Sequence, residues 1–305
     1  MAINPTSRMM RRRMPGLLGG FLTLLTCCLR PAAGAEPLAV SDAPEQVLGI
    51  PVTDDAGANV QMVTRLCRPS GSGPAHLVVI NHGTPGDSQS AALMRVAGCG
   101  HEAVQWFLQR GFVVALPLRR GYGATGGRLE EGNGRCDHPD FVHSGLETAR
   151  DIDAAVSTLT RLPFVRPDGV VVVGQSAGGW GTIAYASQAP ARVAAFIVMA
   201  GGRGGHRDGL PNNNCRPDLL ADAARQFARG ASTRMLWIYT ANDSYFAPPI
   251  AEAMQHSYTA AGGLVDLMEL PPFGDDGHHL FFGRGGSAIW GPPVERYLAQ
   301  QLGSR

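Results

Sequence analysis

Short apolar runs recur along most of the chain, separated by stretches in which apolar and polar residues alternate with helical spacing. The runs cover residues 76–81, 112–117, 170–174, 193–200, 234–240 and 264–270. A strand that is apolar at nearly every position is buried on both faces, which is typical of a parallel sheet covered by helices. The pattern therefore predicts the central strands of an α/β domain.

The flanking segments complete this picture. Residues 47–52 and 59–66 form a predicted hairpin ahead of the first run. Helical spacing predicts helices over residues 102–110, 144–162, 178–188 and 252–261. A hairpin followed by alternating strands and helices predicts an α/β fold with an eight-stranded, mostly parallel sheet and helices on both faces. In such sheets the chemistry lies at the carboxyl ends of the strands.

The N-terminal segment differs from the rest of the chain. A basic stretch, Arg8 to Arg13, precedes the apolar residues Leu17 to Leu25, and Ala33-Gly34-Ala35 follows. A basic region, a short apolar core and a small-residue cleavage site are the pattern of a secretory signal peptide. The apolar stretch is too short to span a bilayer, so no stable membrane insertion is expected.

We therefore expect residues 1–35 to be a signal peptide and residues 36–305 to form the α/β domain. The mature protein is expected to be exported, either to the periplasm or into the medium. Cys27 leaves a lipoprotein signal as an alternative, and the adjacent arginines leave twin-arginine export open.

Composition and cysteine content narrow the function classes. The 305 residues are 44% hydrophobic and 17% charged, with a net charge of +1, so nucleic acid is not an expected partner. Cleavage after residue 35 would leave four cysteines, which favours two disulfides in an exported protein with three possible pairings. These cysteines are Cys67, Cys99, Cys136 and Cys215. None has C-x-x-C spacing, which argues against a zinc ribbon.

The strand at 170–174 runs into Gly174-Gln175-Ser176-Ala177-Gly178, and a predicted helix follows. This G-x-S-x-G sequence, in a strand–turn–helix setting, is typical of a nucleophilic serine on a strained turn. A side chain at either flanking glycine would clash in so sharp a turn. The helix N-terminus also favours developing negative charge. Ser176 is the predicted nucleophile.

A nucleophilic serine requires a histidine as base and an acid that orients the histidine. Asp243 follows the strand at 234–240 and is the predicted acid. His278 follows the last strand and is the predicted base, with the adjacent His279 as the alternative. Gly277 can let the loop turn inward at the next residue, which favours His278.

Two further acidic residues, Asp275 and Asp276, stand beside these histidines. As acids they would be too close in sequence to His278 to reach the far nitrogen of its ring. As metal ligands, the two aspartates and two histidines fit no standard spacing. No metal is therefore expected.

The first parallel strand ends in Asn81-His82-Gly83-Thr84-Pro85-Gly86. An oxyanion hole needs two backbone donors that point at one position. We expect the N–H groups of Ala177 and Thr84 in this role, because Pro85 has no N–H and Gly83 serves as the turn residue. His82 is expected to hold this loop by hydrogen bonds.

Residues 121–126 match the dinucleotide pattern G-x-G-x-x-G and follow a strand. That pattern must also open a helix. The next residues, 127–139, are rich in glycine and polar residues and predict no helix. No cofactor is expected, and the glycines should instead let this loop pass close to the nucleophile.

Two long irregular segments, 119–143 and 201–217, leave strand ends on the predicted active-site side and are expected to form walls of the pocket. Each contains one cysteine, so a Cys136–Cys215 disulfide that joins the two walls is a hypothesis. Aromatic residues beside the predicted acid and base line the pocket or pack in the core. They are Tyr245, Phe246, Phe273, Phe281 and Phe282.

Taken together, these motifs resemble the α/β-hydrolases and, within them, the dienelactone-hydrolase-type esterases. The resemblance rests on His82-Gly83, Arg120-Gly121-Tyr122-Gly123, Gly174-Gln175-Ser176-Ala177-Gly178-Gly179, Asn242-Asp243 and Gly277-His278. It implies the α/β-hydrolase fold for residues 36–305 and a triad in the order serine, acid, histidine. Dienelactone is not carried over as the substrate, because dienelactone hydrolases typically use cysteine where this chain has Ser176.

The sequence therefore predicts a serine hydrolase that cleaves small or extended carboxylic esters through an acyl-enzyme intermediate. A serine peptidase of the prolyl-oligopeptidase type is one alternative, and a catalytically silent binding protein on the same scaffold is another. Activity should rise with the deprotonation of a histidine, whose unperturbed pKa is about 6.5. The oligomeric state is left open.

Overall fold

The computed structural model describes residues 40–53 and 57–303, and the predicted signal peptide lies outside them. The described residues contain an eight-stranded sheet in the order β1-β2-β4-β3-β7-β8-β9-β10, and a separate hairpin of β5 and β6. The strands are β1 (Glu45–Thr53), β2 (Asn59–Cys67), β3 (Leu77–Asn81), β4 (Val113–Pro117), β5 (Gly134–Arg135), β6 (His138–Pro139), β7 (Val170–Gln175), β8 (Val193–Met199), β9 (Met235–Thr240) and β10 (Val265–Leu270).

The sheet is antiparallel at one side and parallel elsewhere. β2 pairs antiparallel with β1 and β4, and the remaining neighbours pair parallel. Every residue of β3, β4 and β9 is buried. Each fully buried aliphatic side chain contributes roughly 1.5–3 kcal/mol through the hydrophobic effect. The predicted eight-stranded, mostly parallel sheet is confirmed.

Seven α-helices occur in the described part of the chain. They are α1 (Ser88–Ala92), α2 (Glu102–Leu108), α3 (Phe141–Leu159), α4 (Ala177–Ala186), α5 (Pro217–Ala228), α6 (Pro248–Ala260) and α7 (Ser287–Leu302). α3 begins three residues before its predicted start, because the Asp140 carboxylate caps it by accepting the His143 N–H at 2.9 Å. In the described ranges no helix is both long and apolar enough to cross a bilayer.

Two disulfides pair the four cysteines named above. Cys136–Cys215 joins the segments 119–143 and 201–217, which confirms the proposed pairing. Cys67–Cys99 ties the end of β2 to the segment before α2. Disulfides of this kind are typical of proteins that fold in an oxidising compartment.

The glycine-rich segment 121–126 forms a short 3₁₀ turn over Gly123–Thr125, and the next helix is α3. Its glycines do not lie against the nucleophile as expected. A Cβ on Gly121 would lie 2.5 Å from the Leu129 Cα, and one on Gly123 would lie 2.1 Å from the Met94 carbonyl oxygen. The glycines therefore allow this segment to pack closely against Leu129 and against the backbone of Met94.

Candidate active site

Ser176 lies between β7 and α4 in a strained backbone conformation. Its φ of 55° and ψ of −119° are values that a residue with a side chain rarely adopts. Backbone hydrogen bonds hold the turn in place. The Ser176 N–H donates to the Met199 carbonyl at 3.0 Å, and the Ser176 carbonyl accepts the Gly202 N–H at 3.1 Å. The nucleophile predicted from sequence therefore occupies a sharp turn at the carboxyl end of a central strand.

The flanking glycines are required for this turn. A Cβ on Gly174 would lie 2.1 Å from the Gly178 carbonyl oxygen. A Cβ on Gly178 would lie 2.3 Å from the Asn81 carbonyl oxygen and 2.6 Å from that of His82. The expectation that a side chain at either position would clash is confirmed. The close approach also presses the end of β3 against the first turn of α4.

Asp243 and His278 come together after β9 and β10. Both Asp243 carboxylate oxygens lie 3.1 Å from His278 Nδ1, and Oδ1 also accepts the N–H groups of Tyr245 and Phe246 at 2.8 and 2.9 Å. Both residues are buried, with Asp243 1% and His278 5% exposed. A carboxylate at Nδ1 favours the tautomer with the proton on that nitrogen, which leaves Nε2 able to accept a proton.

His279 has a different environment. It is exposed, and its ring centroid lies 6.1 Å from that of His278. No hydrogen bond joins it to Asp243 in the described ranges. Of the two histidines considered as base, the structure brings His278 to the acid.

Asp276 has a role that the sequence analysis missed. Its Oδ1 accepts the N–H groups of His278 and Ser244 at 2.9 and 3.0 Å, and its Oδ2 accepts the Ser244 hydroxyl at 2.5 Å. Burial alone would raise the pKa of Asp276, but these hydrogen bonds lower its pKa below the usual range. An aspartate two residues before a histidine can accept the backbone N–H of that histidine, and this spacing is the signal in the sequence that could have indicated the contact.

An aromatic stack covers the face of the predicted base. The Tyr245 ring lies 4.2 Å from the His278 ring, and the His206 ring lies 3.5 Å from Tyr245 at an interplanar angle of 8°. The aromatic residues singled out from sequence divide into two groups. Tyr245 and Phe282 line the cavity, whereas Phe246 and Phe281 are buried and Phe273 packs against the core.

The loop between β3 and α1 lies directly on Ser176, since a Cβ on Gly83 would be 3.0 Å from the Ser176 Cβ. His82 holds this loop: its Nδ1 bonds the Gly83 carbonyl at 2.6 Å, and its Nε2 accepts the Arg119 N–H at 3.1 Å. Burial, with a contribution from the Arg119 charge, lowers the pKa of His82 to about 3. The ring is therefore neutral and structural, as expected.

The two predicted oxyanion donors come from α4 and from the β3–α1 loop. Ala177 is the first residue of α4, where the backbone N–H has no partner within the helix. Thr84 lines the same cavity as Ser176, and its hydroxyl bonds the Tyr122 hydroxyl and Glu131 Oε1. Although Thr84 is an exposed residue, its hydroxyl is thus anchored to two buried side chains.

These contacts belong to a buried network centred on Glu131, which the sequence analysis did not identify. Its carboxylate accepts from Arg119 at 2.5 and 3.0 Å, from Arg203 at 2.7 Å and from the Tyr122 hydroxyl at 2.6 Å. Burial would raise the pKa of Glu131, but the two guanidinium groups lower it well below the usual range. Arg119 also donates to the His82 carbonyl at 2.7 Å. The cluster therefore holds the β3–α1 loop by its contacts with the Thr84 hydroxyl and the His82 carbonyl.

Ser176, His278 and Thr84 open onto one cavity of about 470 Å³. This volume is within the usual range for small-molecule sites. The other lining residues are Ile80, His82, Gly83, Pro85, Gly86, Ser90, Met94, Arg95, Val96, Ala97, His101, Leu116, Gln175, Tyr245, His279 and Phe282. No hydrogen bond links the Ser176 hydroxyl to the His278 ring in the described residues, and such contacts often tighten only when substrate binds.

The cavity walls differ from those expected. Neither segment 119–143 nor segment 201–217 contributes a residue to the lining; one wall is instead formed by residues 94–97, beside Cys99. The two long segments pack against each other through the Arg203–Glu131 ion pair and the Cys136–Cys215 disulfide. The two segments therefore contact the β3–α1 loop through the Glu131 cluster and do not enclose the cavity.

A smaller groove of about 240 Å³ lies between α2 and α7, lined by Trp106, Arg110 and Leu298 among others. Its lining has no serine, cysteine or histidine, so it offers no nucleophile or base. Among the described residues no cluster of three or more histidine, cysteine or acidic side chains could hold a metal ion.

Comparisons with known proteins agree with this architecture. The sequence model of the prolyl oligopeptidase family matches residues 101–202, which is less than half of the chain. No curated protein sequence matches the chain. The solved structures that resemble it include a candidate dienelactone hydrolase of Klebsiella pneumoniae, at 16% identity and a TM-score of 0.56, with 84% of this chain and 98% of that one covered.

Two further structures represent different activities. An acetyl xylan esterase from Paenibacillus sp. R4 is 15% identical with a TM-score of 0.58, and the match covers 85% of this chain and 87% of the esterase. Dipeptidyl peptidase 4 of Porphyromonas gingivalis is 17% identical with a TM-score of 0.58, and the match covers 85% of this chain but only 35% of the peptidase. Strand order and structural likeness together show that the chain has the α/β-hydrolase fold.

Proposed function

We propose that the chain hydrolyses carboxylic esters through an acyl-enzyme formed on Ser176. The observation that carries the proposal is the arrangement around one cavity. A strained serine at a helix N-terminus shares this cavity with a buried histidine whose Nδ1 is held by Asp243. Nucleophile, base and orienting acid are the three parts that acyl transfer to serine requires.

In the proposed mechanism, the Ser176 Oγ attacks the ester carbonyl carbon while His278 Nε2 takes the hydroxyl proton. The N–H groups of Ala177 and Thr84 stabilise the oxyanion of the tetrahedral intermediate. The intermediate collapses as the C–O bond to the alcohol breaks and His278 returns the proton to the leaving oxygen. Water then attacks the acyl-enzyme by the same route, which releases the acid and restores Ser176.

Peptide hydrolysis is the second candidate, because the prolyl oligopeptidase model matches residues 101–202 and a dipeptidyl peptidase shares the fold. The cavity argues against substrates with a free amino terminus. Its lining includes Arg95, His101 and His279 but no aspartate or glutamate. A buried ammonium group needs a carboxylate partner to offset its desolvation.

Initial rates on p-nitrophenyl acetate and butyrate, compared with a dipeptide p-nitroanilide, test the proposal. We expect ester turnover that falls by at least about a thousandfold in Ser176→Ala. Ser90→Ala is the matched control, since Ser90 lines the same cavity and should leave most activity intact. Anilide turnover with no ester turnover would favour the peptidase, and turnover of neither would favour a silent binding protein.

We further propose that the enzyme acts outside the cytoplasm after residues 1–35 are removed. The two disulfides support an oxidising compartment. N-terminal sequencing of protein recovered from the periplasm or medium should begin at Glu36. Recovery of unprocessed chain from the cytoplasm would contradict this.

A further inference from the structure

A second carboxylate connects the loop that carries the predicted acid to the turn that carries the predicted base. Asp276 accepts the His278 N–H at 2.9 Å, the Ser244 N–H at 3.0 Å and the Ser244 hydroxyl at 2.5 Å. Ser244 directly follows Asp243 in the chain. One carboxylate therefore holds the backbone of the base and the backbone beside the acid.

Apart from the Asp243–His278 pair, the other contacts that join the same two loops are neutral. The side-chain oxygen of Asn242 accepts the Phe273 N–H at 2.9 Å, and the backbone carbonyl of Asn242 accepts the Gly277 N–H at 3.2 Å. Hydrogen bonds to an ionised carboxylate are roughly twice as strong as neutral ones. Asp276 thus supplies the strongest links to the backbone across this junction in the described residues.

The contacts of Asp276 continue outward to the aromatic stack. The Ser244 hydroxyl, which donates to Asp276, also lies 2.9 Å from His206 Nε2. The His206 ring stacks on Tyr245, and Tyr245 stacks on His278. His278 is therefore restrained at Nδ1 by Asp243, on its ring face by Tyr245 and at its backbone by Asp276.

We propose that Asp276 is a positioning residue of the proposed serine hydrolase, and this inference rests on that proposed function. Its carboxylate sets the position of the His278 ring relative to Asp243 and the Ser176 hydroxyl. It does not line the cavity, so it acts through His278 and not on substrate. A misplacement of about 1 Å in a catalytic group can reduce turnover about a hundredfold.

The test compares Asp276→Asn with Asp275→Asn, which removes the same charge one residue earlier. Asp275 is exposed and has no side-chain hydrogen bond in the described part of the chain.

We measure kcat and KM on p-nitrophenyl acetate and the rate at which a fluorophosphonate labels Ser176. In Asp276→Asn, kcat and the labelling rate should both fall about 10- to 100-fold. KM should stay within about twofold, because the cavity lining is unchanged. Asp275→Asn should match the wild type.

Rates are expressed per folded molecule, determined from urea unfolding of each variant, so that a loss of stability is not counted as a loss of catalysis. If Asp276→Asn fails to fold, Ser244→Ala removes one partner of the carboxylate and should still lower kcat several-fold with KM unchanged. A kcat within twofold of the wild type in the folded variant would overturn the role of Asp276 while leaving the hydrolase proposal intact. A wild type that neither turns over ester nor labels at Ser176 would overturn both.

Discussion

At the residue scale, Ser176 keeps a backbone conformation that costs on the order of 1–3 kcal/mol. The neighbouring backbone offsets this cost, because Met199 and Gly202 hold both polar groups of Ser176 and the glycines on either side make room for the turn. Strain that is fixed by its surroundings keeps a reactive group in one geometry. The G-x-S-x-G sequence can therefore be understood as a steric requirement as well as a motif.

Substitution of Gly178 by alanine should lower the free energy of unfolding by about 1–3 kcal/mol or more. The new methyl group would overlap the carbonyl oxygens of Asn81 and His82, which lie within 2.6 Å of the added carbon. Ester hydrolysis should fall with it, because the β3–α1 loop must move. Urea unfolding and initial rates check this. Gly132→Ala is the control, since its nearest neighbour atom would be 3.9 Å away. Equal stability of the two variants would contradict the steric account.

Ser176, Asp243 and His278 could be placed from sequence because each follows an apolar strand in the order that the fold requires. Asp276 could not be assigned in the same way. An aspartate near a histidine suggests an acid or a metal ligand, whereas here it accepts backbone N–H groups of a turn. Such contacts depend on the local path of the chain, which residue identity alone does not specify.

At the scale of elements, the β3–α1 loop depends on buried charge as much as on its own sequence. Glu131 arrives from a long irregular segment, Arg119 from the end of β4 and Arg203 from the end of β8. Breaking a buried ion pair by removal of one partner costs about 3–5 kcal/mol. The loop that carries Thr84 is therefore held by contacts that no local motif predicts.

His82 should make stability depend on pH. Its pKa is about 3 in the folded chain, against about 6.5 when unfolded. Because the unfolded chain binds the proton more readily, the contribution of His82 is fully present above pH 6.5 and is lost as the pH falls towards 3. Between pH 6 and pH 4 the wild type should lose about 2–3 kcal/mol more than His82→Gln.

Urea unfolding across that pH range measures the effect, with His256→Gln as the control because His256 is exposed. The slope with pH is the relevant quantity, since His82→Gln also removes hydrogen bonds and lowers stability at every pH. Parallel curves for wild type and His82→Gln would show that His82 is not buried in its neutral form.

Six apolar runs and the predicted hairpin together placed all eight strands of the main sheet. The signal is clearest for the central parallel strands, which are buried on both faces and therefore apolar at nearly every position. Helices were predicted less completely. α7 contains Pro292 and Pro293, which remove backbone donors, and its formation depends on packing of Trp290, Val294 and Tyr297 in the core. Tertiary contacts therefore determine this helix more than its local sequence does.

At the scale of the whole molecule, the two disulfides have different relations to the cavity. Cys99 follows the wall formed by residues 94–97, whereas Cys136 and Cys215 join segments that do not line the cavity. The sequence suggested one pairing, because each of the two long segments contains one cysteine. It could not show which disulfide adjoins the cavity, because that depends on how the loops pack.

Replacing each cysteine pair by serines should separate stability from substrate binding. Each double variant should lose about 2–4 kcal/mol of unfolding free energy, because the unfolded chain gains freedom. Cys67→Ser with Cys99→Ser should also raise KM, since the wall at 94–97 loses its anchor. Cys136→Ser with Cys215→Ser should leave KM close to that of the wild type. Urea unfolding and ester kinetics measure both effects. A raised KM in the Cys136 and Cys215 variant, with an unchanged KM in the Cys67 and Cys99 variant, would refute this description of the cavity.

The most direct test of the proposed active site is fluorophosphonate labelling of the folded protein, followed by mass mapping of the modified peptide. We expect the label on Ser176 in the wild type and in His279→Ala, and no label in His278→Ala. Absence of label from folded wild type, label on another residue, or label retained in His278→Ala would contradict the assignment of Ser176 and His278 as nucleophile and base.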